Sequence, residues 1–501
     1  KDSAFSKSPH TLLMPESFSV QNREDEALRA GAQRGGRILA AKIGAAFGIG
    51  LVVTGVCVVV ATWMNSPASS TTTTTVVATN LMTTTTTTLM TSKTTTTTLM
   101  TSTTTTTMKV PGPYPAPDHP VALLKGIGYA PVPLKQAGLT VPNDDFFSDH
   151  TAALWGELGR GDLVIIKKLG ANAVRLYGND PQYYHDSFLD AAHALDMGVI
   201  VGISDYPYTQ APDACALRQG ANCFNNIKSQ YASMLQDRRF LVDGATKYHD
   251  ALQEVILINE PELKMPGGIH AVDTWSRAII SAFDGVLEAE KESGVTGRLP
   301  MFTATFSYAV CGQACDGKYG NKPGLGMMVA LQKAMANPAS VGYTATNDLS
   351  KAYEERFVNS YNTANPARDI KPQFLDAYQE YFGFKDVYIG EFHAPGWNTL
   401  DQMNEVVAIA SEKTNPLRGI AFFEFQVRYD KGGSEMEFGM FGLGDEVVGH
   451  VTLGDQNQKF DVSCLTEVKG KQDKLVISSA VAVAYKGKGV EKWELCPEVV
   501  V

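Results

Sequence analysis

Beyond residue 110, short apolar runs alternate along the chain with amphipathic stretches. The runs LLKGIGYAP (123–131), NAVRLYG (172–178), VIVGISDY (199–206), VILINEP (255–261), MFTATFSY (301–308), RFVNSYNT (356–363), DVYIGEF (386–392) and GIAFFEFQ (419–426) read as strands. SVGYTATN (340–347) is an alternative for the sixth. Between the strands, segments such as DLVIIKKLG and SFLDAAHALDMG repeat apolar residues at helical spacing and close on a glycine. Alternating strands and helices predict a parallel sheet. Eight such units over about 300 residues predict an α/β fold, the (β/α)8 TIM barrel.

The first part of the chain is patterned differently. Residues 43–64, IGAAFGIGLVVTGVCVVVATWM, carry no charge and are long enough to cross a bilayer of about 30 Å hydrocarbon thickness. Arg29, Arg34, Arg37 and Lys42 precede this run, and the next basic residue after it is Lys93. The positive-inside rule therefore predicts a cytosolic segment over 1–42, a signal anchor over 43–64, and a single-pass type II protein whose remainder is extracellular or lumenal. Residues 65–109 are dominated by threonine, cannot bury a core, and read as a disordered stalk of the O-glycosylated kind. The domain reading is then a catalytic barrel over 110–444 and a C-terminal appendage over 445–501 packed on it.

A net charge of -10 with no dense basic stretch argues against a nucleic-acid partner. Of seven cysteines, Cys57 falls in the apolar run, which leaves an even six in an oxidising compartment. Nearness in sequence pairs Cys215 with Cys223, Cys311 with Cys315, and Cys464 with Cys496. His185, His193, His249, His270 and His393 are scattered without the spacing of a ligand pair, so neither metal nor cofactor is expected.

In a barrel of this kind the C-terminal strand tips carry the chemistry. Here the tips bring Tyr129, Arg175, Tyr177, Asp205, Asn259, Glu260, Tyr308, Tyr361, Glu391, His393, Glu424 and Phe425. Carboxylates and aromatic rings without lysine or cysteine are the palette of a sugar site. Strands four and seven face each other across the barrel, so Glu260 and Glu391 can flank one glycosidic bond as acid and nucleophile, as a retaining glycosidase requires. Arg175 is placed to pair Glu391, while burial would raise Glu260 toward neutrality. Trp397, six residues past Glu391, offers an acceptor platform. Taken singly, each of these charges is an ordinary strand-end residue, and the case rests on their joint order.

Asn-Glu ending strand four with a lone Glu ending strand seven resembles the clan A glycoside hydrolases. KGIGYAP, IIKKLGANAVRLYGND, HDSFLDAAHALDMGVIVGISDYP, and FFEFQ leading to FGMFGL resemble the fungal-type β-1,3-glucanosyltransferases, with the plant-type β-1,3-glucanases also similar. The resemblance covers roughly residues 123–444 and is strongest over 163–207. It implies Glu260 as acid/base, Glu391 as nucleophile, Asn259 bonding the sugar 2-hydroxyl, Tyr361 near the nucleophile, and Tyr129, Asp205 and the aromatic face of strand eight lining donor subsites. The chain departs from that pattern at GEFHAPGW in strand seven, at Pro261, and in the insertion VRYDKGGSEMEF after FFEFQ. The expected partner is a β-glucan polysaccharide or oligosaccharide. The competing readings are a mannan- or cellulose-active clan A enzyme and a non-catalytic carbohydrate-binding or adhesion protein.

Overall fold

A computed structural model describes residues 122–496 apart from 219, 243, 245 and 316. The proposed cytosolic segment, membrane anchor and stalk all lie outside the described residues. No helix among the described residues is long and apolar enough to cross a membrane.

Eight parallel strands close into a barrel in sequence order: β1 (Leu124–Gly128), β2 (Ala173–Arg175), β3 (Gly198–Gly202), β4 (Leu252–Asn259), β5 (Met301–Phe306), β6 (Asn359–Thr363), β7 (Val387–Phe392) and β8 (Leu417–Phe422). Each falls within or beside the run that predicted it. The alternative sixth strand is instead a short helical turn, Pro338–Val341, with the loop that follows it. Helices including Asp162–Lys168, Asp186–Ala194, Phe224–Met234, Val272–Glu292, Leu325–Ala336, Asp376–Phe382 and Thr399–Ser411 return the chain from one strand to the next.

Two apolar layers hold this arrangement together. Leu124, Ala173, Ile200, Ile256, Val358 and Tyr388 meet inside the barrel. A much larger shell joins the outer faces of the strands to the helices, with Trp275, Phe188, Phe302 and Tyr361 among its fully buried side chains. Removing so much apolar surface from water is the main stabilising term, at roughly 25 cal/mol per Å². Near the N-terminal ends of the strands, Glu254 and Arg418 form a buried ion pair at 2.6 Å.

After β8 the chain forms an antiparallel hairpin, β9 (Phe441–Leu453) with β10 (Gln458–Glu467). The expected domain boundary at 444/445 therefore falls inside β9. The helix Ile477–Tyr485 then packs beside Thr399–Ser411. Its Tyr485 hydroxyl donates to the carbonyls of Gly126 in β1 and Ile420 in β8, at 3.0 and 3.4 Å. It thus occupies the place of the eighth barrel helix, so the C-terminal residues complete the ring. Disulfides join Cys215 to Cys223, Cys311 to Cys315 and Cys464 to Cys496. The last ties β10 to the residue that follows the final helix.

Candidate active site

β4 and β7 aim their acids inward through local irregularities. The β4–β5 register shifts between Ile256 and Asn259, and the β6–β7 register shifts between Tyr361 and Asn362. Such bulges re-aim side chains that regular alternation would send to the other face. In β7 the extra residue of the bulge is Gly390, where a Cβ would lie 2.9 Å from both Asn362 Oδ1 and Thr305 Cγ2. Only glycine lets the strand approach that closely. Glu260 follows β4 with φ 50° and ψ 52°, a left-handed conformation uncommon for a glutamate, held by its backbone N–H donating to Thr305 O at 2.7 Å.

Arg175 of β2 is completely buried at the centre of the mouth. Its Nη1 donates to Glu391 Oε1 at 2.5 Å, to Tyr177 Oη at 2.9 Å and to Gly390 O at 3.1 Å, while Nη2 donates to Asn259 Oδ1 at 2.7 Å. The charge-assisted fork therefore fixes Glu391, Tyr177 and Asn259 together. Asn259 Oδ1 also accepts from Asn362 Nδ2 at 3.1 Å. With its oxygen held by two donors, Asn259 has its Nδ2 left as a donor for the cleft.

Asn362 Nδ2 donates as well to Glu260 Oε1 at 3.0 Å. Burial pushes the Glu260 carboxyl up to about 8, the charge of Glu391 adds to the rise, and Lys264 opposes it. One group is thus protonated near neutrality, next to a carboxylate clamped by a guanidinium. That is the division of labour glycosidic cleavage needs.

The cleft beside this pair is lined by Asp144, Tyr177, Ser204, Asp205, Asn259 and Lys264. Lys264 donates from Nζ to Asp205 Oδ2 at 2.6 Å. Glu424, after β8, is fully buried, and neither carboxyl oxygen has a partner among the described residues. Burial pushes it to about 8. Among the described residues no group of three or more His, Cys, Asp and Glu is arranged to hold a metal ion.

The structure thus brings Glu260, Glu391, Arg175, Tyr177, Asn259 and Asp205 to one centre. Other residues expected there are turned elsewhere. Tyr129 is buried, donates to Asp162 Oδ2 at 2.9 Å, and packs on Phe188 and Phe425. Phe425 is buried between Tyr129 and Phe441. Tyr361 points out of the barrel against Tyr308 and Phe374, and the hydroxyls of Tyr361 and Tyr308 are both buried without a partner among the described residues. His393 is buried with Nδ1 against the carbonyls of Phe423 and Phe438, at 3.0 and 2.9 Å, and burial lowers it to about 4. It braces the ends of β7 and β8 instead of lining the cleft. Trp397 stands on the loop after β7, 41% exposed, with the Arg368 guanidinium 4.4 Å from its ring centre.

Asn362 and Lys264 are absent from the sequence reading. Period-two alternation in β6 groups Ser360 with Asn362 on one face and sets Tyr361 on the other, but it does not say which face turns inward. Lys264 carried no such signal, because its place depends on how the turn after β4 folds.

No family model matches the chain, and no curated protein matches it. Solved structures of Gas2 from Saccharomyces cerevisiae are similar to it. The crystal structure of Gas2 in complex with compound 8 is 16% identical with a TM-score of 0.42, the match covering 76% of this chain and 69% of that one. The complex with laminaritriose and laminaritetraose is 14% identical with a TM-score of 0.41, covering 76% and 70%. The complex with laminaripentaose is 15% identical with a TM-score of 0.39, again covering 76% and 70%.

Proposed function

We propose that this chain is a retaining glycoside hydrolase or transglycosylase that acts on β-1,3-glucan by double displacement with two glutamates. The observation that carries the reading is the pair at the barrel mouth: Glu260, raised to about 8, beside Glu391 on the buried Arg175. The choice of β-glucan rests on the sequence motifs, strongest over 163–207, that resemble the glucan-active families.

In the first step Glu391 attacks the anomeric carbon while Glu260 gives its proton to the departing glycosidic oxygen, so the C–O bond breaks as an ester to Glu391 forms. In the second, Glu260 takes a proton from a water or sugar hydroxyl whose oxygen attacks the same carbon and frees Glu391. Water gives hydrolysis, and a sugar gives transfer. Asn259 Nδ2 is the donor available to a hydroxyl of the sugar held between them.

We further propose that residues 43–64 anchor the chain with the barrel outside the cytosol, a setting that suits three disulfides. Protease protection in sealed membranes tests this, and digestion of residues 1–42 alone from the cytosolic side is expected.

Incubation with reduced β-1,3-gluco-oligosaccharides, resolved by size beside a Glu391→Gln control, tests the activity. Products longer than the substrate and absent from the control establish transfer, and shorter ones alone establish hydrolysis. No turnover here, or on mannan and cellulose oligomers, would replace the enzyme reading with a carbohydrate-binding one.

A further inference from the structure

Lys264 lines the cleft together with a second cation, Arg175, and two acids, Asp144 and Asp205. It ends the single turn Pro261–Lys264 that begins directly after Glu260. Glu260 caps that turn, its carbonyl accepting from Leu263 N at 3.1 Å, so Glu260 and Lys264 leave one five-residue segment. Its ammonium reaches back to Asp205, beyond the end of β3, at 2.6 Å, and it lines the same cleft as Asn259 and Arg175. Its side chain is half-buried, so its charge acts through a poorly screened environment.

The other groups facing Glu260 differ in sign and reach. From β7 comes the Glu391 carboxylate, which is itself paired with Arg175 of β2. From β6 comes the neutral donor Asn362. The same turn supplies Glu262, buried and accepting from Ser307 N at 2.6 Å. Asp205 is bound to Lys264. Among these, the two cations differ in partner: Arg175 is paired with Glu391, and Lys264 is paired with Asp205.

We propose that Lys264 is a positioning residue for the acid/base: held against Asp205 at the edge of the cleft, its charge sets the pH range over which Glu260 keeps its proton. The inference rests on the reading of Glu260 as the acid/base group, but its primary test does not need turnover. Without Lys264, Glu260 would stay protonated to higher pH, and the base needed in the second step would be scarcer at neutrality.

The test is a carbon-13 NMR titration of glutamate-labelled chain, with the Glu260 carboxyl assigned by its loss in Glu260→Gln. Lys264→Met is expected to move the Glu260 titration up by about one pH unit, the low end of what one nearby charge does. Lys264→Arg is expected to leave it near the wild-type value. Asp205→Asn, which removes a negative charge and keeps the lysine, is expected to move it down or leave it unmoved. If Lys264 only braces Asp205, Lys264→Met and Asp205→Asn will act alike and neither will shift the titration upward, which overturns the proposal. The alkaline limb of kcat/KM on β-1,3-glucan should follow the NMR value. Absence of turnover with a shifted titration would count against the glucan reading alone.

Discussion

Asn362 donates a hydrogen bond to Glu260 across the barrel mouth, from the inward face of β6 to the residue just beyond β4, at 3.0 Å. The bond favours the charged form of an acid that burial otherwise keeps protonated. Asn362→Ala should therefore raise the Glu260 titration, carry the alkaline limb of kcat/KM upward, and lower kcat/KM by roughly tenfold to a hundredfold, the worth of a hydrogen bond to a charged group. A pH–rate series on the variant checks this. An unmoved limb would mean that the bond does not act on the catalytic form.

Glu260→Gln removes the proton donor while leaving Glu391 and its arginine in place. Turnover of glucan should fall by about 10²- to 10⁴-fold. An aryl glucoside, whose leaving group needs no proton, should lose far less in the first step. A glycosyl-enzyme on Glu391 should then accumulate and be visible by intact mass.

Arg175 is buried and paired, so its removal leaves Glu391 and Asn259 Oδ1 without their main donor. Arg175→Met should destabilise the fold by about 3–5 kcal/mol, the usual cost of stranding one partner of a buried ion pair. Denaturant unfolding at pH 7 checks the magnitude. Arg175→Lys keeps the charge but not the fork, and should recover part of the stability with little of the activity.

Glu424 gives a pH dependence of definite sign. Its folded value of about 8 lies above its ordinary value of 4.5, so the folded state binds the extra proton between those limits. Its contribution to stability is fully present below about pH 4.5 and is lost as pH rises through about 8, at up to roughly 1.4 kcal/mol per unit. Glu424→Gln should raise the melting temperature at pH 8 and change it little at pH 5. Equal effects at both values would show that the carboxyl does not titrate in this range.

The disulfide Cys464–Cys496 fastens the segment carrying the eighth barrel helix. Replacing both cysteines by alanine should cost about 2–4 kcal/mol. Reduction of the wild-type chain should cost at least as much in urea unfolding, and the variant, which keeps Cys215–Cys223 and Cys311–Cys315, should respond less to reductant than the wild type does.

What the sequence determined by itself was the alternation of strand and helix, the count of eight, and the tips on which Glu260, Glu391, Arg175 and Asn259 stand. These follow from local properties, since apolar runs, helical periodicity and glycine stops act over a few residues. Only the tertiary structure decided which of two neighbours faces the cleft. In β6 the alternation has two phases, and barrel closure chose the one that turns Asn362 inward and Tyr361 outward. The bulges in β4 and β7 interrupt that alternation at Asn259 and Glu391. Lys264 reached the cleft through a turn held by Asp205, and the eighth helix came from beyond a hairpin. Each depends on contacts between residues far apart in the chain, which no local pattern encodes.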